Sequence, residues 1–81
     1  MSTLVLGRQV SAGRMLAGLT QRELARAAGL HVNSIRYLER QNRIRADYSR
    51  ERVEAAMRSL GVLFFREPTP GVRLAPGDAN P

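Results

Sequence analysis

Three residues, Gly29-Leu30-His31, are all that separate two segments of helical pattern near the middle of this 81-residue chain. So short a connection leaves few geometries. With a glycine supplying the left-handed backbone conformation, two helices joined in this way cross at a steep angle. The first of the pair opens on Thr20-Gln21-Arg22-Glu23, where the Thr hydroxyl can accept from the third helical N–H while Glu23 reaches back to the cap. Leu24, Ala25 and Ala28 form its buried stripe, and Gly29 stops it. The second runs from about Val32 to Arg40, with Ile35 and Leu38 three apart and facing inward together. Asn33, Arg36, Tyr37 and Arg40 then lie on its opposite face at helical spacing.

Two further helices flank this pair. One is expected over Arg8 to Ala17, with a thin apolar face of Val10, Met15 and Leu16, a weakening Gly13 in its middle and Gly18 near its end. The other opens near Asp47 or Ser49, either of which can cap it, and carries Val53, Ala56, Met57 and Leu60 at i, i+3, i+4, i+7. Beyond Gly61 the composition shifts, with Pro68, Pro70, Gly71, Pro76, Gly77 and Pro81 closing the chain. The short apolar runs Val62-Leu63-Phe64-Phe65 and Gly71-Val72-Arg73-Leu74 flank a proline-rich turn and predict a hairpin or a pair of strands. The expected fold class is mainly α: a bundle of about four helices with a short C-terminal β-hairpin or strand extension over 62–76 and a flexible tail over 77–81.

Charge narrows the partner. Thirteen basic residues, all Arg, stand against seven acidic ones, a net charge of +6. An excess of this size favours a polyanionic partner, although it does not separate DNA, RNA and a membrane surface. Arginine is suited to the first two, because its planar fork pairs bidentately with phosphates and guanine edges. There is no Cys, one His and no cluster of carboxylates or glycine-rich phosphate loop, which leaves nothing to run an enzyme's chemistry. No metal, cofactor or small-molecule ligand is therefore expected, and His31 has no second ligand to join it. The longest apolar run, Gly61 to Phe65, is far short of the roughly 20 residues that span a bilayer. The N-terminus does not read as a secretory signal. The expected setting is cytoplasmic, associated with the nucleoid and not with a membrane.

Thr20-Gln21-Arg22-Glu23-Leu24-Ala25-Arg26-Ala27-Ala28-Gly29-Leu30, followed by Ser34-Ile35-Arg36-Tyr37-Leu38-Glu39, closely resembles the Cro-type, or XRE, helix-turn-helix family of lambda-repressor-like prokaryotic regulators. The resemblance covers about Gly7 to Gly61, and implies a DNA-binding domain over 1–61. It departs at His31, where relatives carry a Ser or Thr cap, and at Gln41 and Arg45, where they often carry Gly and Pro. By this resemblance the N-terminus of the second helix, with Thr20 and Gln21, sits on the phosphate backbone. The third helix enters the major groove, with Val32 and Asn33 as leading base readers and Arg36 and Tyr37 one turn further along. Val can contact a thymine methyl, Asn can bond adenine bidentately and Arg can fork onto guanine. His31 and the loop residues Arg40, Asn42, Arg43 and Arg45 are assigned to phosphates.

The same resemblance pairs Arg14 with Glu39, tying the third helix to the body. It implies a sequence-specific regulator of double-stranded DNA, read as a homodimeric repressor on a pseudo-palindromic operator. The apolar residues Val62, Phe64, Phe65, Val72 and Leu74 are the expected dimerisation surface, because so short a chain has little spare core to hide them. The rival reading is an antitoxin or antirepressor whose main partner is another protein, with DNA binding secondary.

Overall fold

Residues 3–76 are described by a computed structural model of the chain. The order of elements is α1 (Gly7–Leu16), α2 (Gln21–Ala28), α3 (Val32–Arg40), α4 (Tyr48–Ser59), β1 (Val62–Phe65) and β2 (Gly71–Leu74). Side chains start three of the helices by accepting an otherwise orphaned N–H: Thr20 from Glu23, His31 from Asn33 and Asp47 from Arg50. The first helix is started differently. Its Gln9 reaches back so that Oε1 accepts from the N–H groups of Val5 (2.8 Å) and Leu6 (2.9 Å).

One core serves every element. Leu4 from the N-terminal segment, Val10 of α1, Leu24, Ala25 and Ala28 of α2, Ile35 and Leu38 of α3, and Val53 and Met57 of α4 are joined there by Ile44 and by Val62 and Phe64 of β1. Helix α1 differs from its expected face: Met15 is 69% and Leu16 47% exposed, while Gly7, Gln9, Val10 and Gly13 are buried. The reason is Gly13. A Cβ there would come within 2.7 Å of Met57 and 2.9 Å of Val62, so this stretch of α1 is packed flush against α4 and the hairpin with no side chain of its own. On α4, Val53 and Met57 are buried, Ala56 is half-buried and Leu60, just past the helix, is 46% exposed.

The two strands pair antiparallel, Val62 opposite Leu74 and Phe64 opposite Val72, and lie over α1 and α4. This corrects the expected dimerisation surface. Val62 (0% exposed) and Phe64 (7%) belong to the protomer's own core and are not available to a second copy. An isolated two-stranded hairpin is marginal in water and needs a surface to pack on, and the helices supply it. Phe65 and Val72 are half-buried and Leu74 is 47% exposed. The tail expected over 77–81 lies outside the described residues. Among the described residues no helix is long and apolar enough to cross a membrane.

Candidate nucleic-acid interface

The turn between α2 and α3 is held from both sides. Gly29 closes α2 at φ +69°, and its N–H together with that of Leu30 returns to carbonyls in the last turn of α2. Behind the turn, Arg52 of α4 donates from Nε to the Ala28 carbonyl at 2.8 Å and lays its guanidinium against Gly29, where any Cβ would collide with it. A cation therefore sits on the negative end of α2, and α4 props the angle between α2 and α3. The guanidinium also lies 5.3 Å from the centroid of the Tyr48 ring.

The outer face of α3 presents Asn33, Arg36, Tyr37 and Arg40, all exposed, with Tyr37 at 59%. Val32 is half-buried and packs against the core, so much of its side chain supports α3 from below. His31, at the position where relatives carry a hydroxyl, caps α3 through the ring: Nδ1 accepts from the Asn33 N–H at 3.1 Å. An acceptor Nδ1 places the hydrogen of a neutral ring on Nε2. Gln41 sits at φ −79°, ψ 136°, ordinary extended backbone, so the missing glycine costs this loop nothing. The following loop is anchored by Ile44, which is buried and donates its N–H to the Val5 carbonyl at 2.9 Å, while Asn42, Arg43 and Arg45 remain exposed.

A polar network runs from α1 to that outer face. Arg14 Nε donates to Glu39 Oε2 at 2.7 Å, and Arg14 Nη1 donates to the Leu19 carbonyl at 3.0 Å. Gln21 Nε2 donates to Glu39 Oε1 at 3.0 Å. The Gln21 carbonyl oxygen accepts from Arg36 Nε at 3.4 Å, and Arg36 Nη1 donates to Asn33 Oδ1 at 3.1 Å. Burial pushes the Glu39 carboxyl up, but the hydrogen bonds and charge of Arg14, with hydrogen bonds from Gln21 and Ser11, outweigh it and hold the group below its ordinary value. Gln21 thus bridges Glu39 and Arg36 from the start of α2. At its start α2 presents exposed Thr20, whose hydroxyl caps the Glu23 N–H, and the backbone N–H groups of Gln21 and Arg22 that precede it.

Set side by side, the exposed α3 face, the N-terminus of α2 and the Arg43–Arg45 loop make a basic surface around a rigid turn. The family model described as helix-turn-helix matches residues 10–62, more than half of the chain. The chain belongs to the XRE-type helix-turn-helix family. No curated protein and no solved structure matches it. The helix-turn-helix protein is a DNA-binding regulator of the XRE type, and its family is not one of enzymes. Among its described residues, no group of three His, Cys, Asp or Glu side chains is placed to hold a metal ion.

Two residues of this helix-turn-helix protein escape a reading of the sequence. Gln9 carries half a signal, an amide at the third helical position, but Leu6 at the cap lacks the hydroxyl that would complete a capping box. Arg52 looks like any charged residue on a solvated helix face, and only the packing of α4 on α2 shows it reaching the turn.

Proposed function

We propose that the chain is a homodimeric repressor that binds a pseudo-palindromic operator in double-stranded DNA. The observation that carries this reading is the exposed stripe of Asn33, Arg36, Tyr37 and Arg40 on a helix whose opposite face is locked into the core by Ile35 and Leu38. Such a helix can enter the major groove without unfolding anything. Thr20, the ring of His31 and the loop residues Arg40, Asn42, Arg43 and Arg45 contact phosphates on either side, and Val32 adds its exposed edge to base readout. Arg14 and Glu39 hold α3 at the depth these contacts need. One recognition helix reaches too few bases to specify a site, so two copies bind half-sites about 10 base pairs apart, centre to centre. With Val62 and Phe64 committed to the core, Phe65, Val72 and Leu74 are what the hairpin contributes to pairing. Repression is the expected sign, because a dimer filling successive major grooves excludes other proteins from that stretch.

Genome-wide mapping of bound DNA, followed by sedimentation of the full chain on a mapped site, tests this directly. Two protomers on an inverted repeat, with lower transcription from the adjacent promoter, is the expected result. A single protomer on an asymmetric site, or no enriched site, overturns it.

A further inference from the structure

We infer that α3 reads guanine, not adenine, where Asn33 and Arg36 meet the groove; the inference rests on the proposed DNA-binding function and specifies its base. Taken alone, Asn33 suits adenine, whose N6 amine needs an acceptor and whose N7 needs a donor. In this structure that acceptor is turned toward Arg36. Asn33 Oδ1 accepts from Arg36 Nη1 at 3.1 Å, so the exposed end of the Asn33 amide is its NH2.

The orientation of Arg36 is fixed from the other side by an alternation of donors and acceptors that has only one solution. Glu39 is anionic and can only accept, so Gln21 must turn its NH2 to Glu39 and its carbonyl oxygen to Arg36. Arg36 can only donate, so its Nε meets that oxygen and its Nη1 meets Asn33 Oδ1. Both residues are exposed, and these bonds occupy neither the Asn33 NH2 nor Arg36 Nη2. The pair therefore offers the groove chiefly donors, because one lone pair of Asn33 Oδ1 is already engaged by Arg36. Of the four bases, guanine alone shows two major-groove acceptors, N7 and O6, side by side. Gln21 acts as a positioning residue: it touches no base and aims Arg36.

Selection of bound duplexes from a randomised pool by the full-length chain, then repeated with single variants, tests this. The wild type is expected to enrich a half-site with one strongly preferred guanine. Arg36→Ala should lower the preference for that guanine over adenine by roughly 5- to 150-fold, the range a bidentate base contact commands. Arg36→Lys should keep general affinity but lose most of that preference, since it retains the charge without the fork. Gln21→Ala should weaken the guanine preference by a larger factor than it weakens binding to random duplex. An enriched adenine that disappears with Asn33→Ala, or a guanine indifferent to Arg36→Ala and Arg36→Lys, overturns the inference while leaving DNA binding intact. A wild-type pool with no enriched sequence instead overturns the DNA-binding function on which the inference rests.

Discussion

At the scale of single residues, the Arg14–Glu39 pair decides how firmly α3 is seated. Its side chains are 16% and 8% exposed, and Glu39 also receives Gln21. Arg14→Ala leaves that carboxylate with one side-chain partner fewer in a largely buried place, and should cost about 3 kcal/mol, at the low end of the range for breaking a buried pair. Urea denaturation of the two proteins measures it. The pair also has a pH signature. The carboxyl of Glu39 is held below its ordinary value in the folded protein, so the unfolded chain takes up that proton more readily. Its stabilisation is complete above the unfolded-state value of about 4.3 and is lost as the pH falls from there through the lower folded value. The difference in Tm between the wild type and Glu39→Gln should therefore be constant near neutrality and begin to shrink below about pH 4; a gap that does not narrow at all as the pH is lowered further would show that charge is not what Glu39 contributes. Residues of this kind are legible in a sequence when a family pattern pairs them. His31 is the counterexample, since nothing in the pattern marks an imidazole as a helix cap, and only its Nδ1 against the Asn33 N–H reveals it.

At the scale of elements, the four helices are legible because Thr20, Asp47 and Gly29 punctuate them and because Ile35, Leu38, Val53 and Met57 recur at helical spacing. The hairpin is legible as strands but not as core. Its alternation is short, and periodicity cannot say whether a strand's apolar face meets its own helices or a second protomer. The bare surface that Gly13 leaves on α1 settles that, and a glycine reads in sequence only as a weak helix former. Phe64→Ala should accordingly cost about 3–5 kcal/mol in urea denaturation of the full chain, as expected for truncating a buried ring. Leu74→Ala, at a residue 47% exposed, should cost far less. Ending the chain at Gly61 would strip Val62 and Phe64 from the core, so the expected product is a destabilised or unfolded fragment and not a folded monomer.

At the scale of the whole molecule, the +6 charge and the exposed Arg40, Arg43 and Arg45 make binding strongly dependent on salt. The logarithm of the binding constant should fall linearly with the logarithm of salt concentration, by about 0.9 for each phosphate neutralised. Arg43→Ala should make that slope shallower by about one such step and weaken operator and random duplex alike, as fluorescence anisotropy across a salt series can check. Charge of this size is visible in composition alone, whereas the way the three outer segments are joined is not. Gln9, 3% exposed, takes the Val5 and Leu6 N–H groups on Oε1 and gives Nε2 to the carbonyls of Thr3, Phe65 and Gly71. The N-terminal segment and both strands thus meet at one amide of α1. In amide hydrogen exchange, Val5 and Leu6 should open with the hairpin and not as a fraying end, sharing its protection. Gln9→Leu should release all of them at once, turning one cooperative opening unit into a chain end and a hairpin that exchange at separate, faster rates.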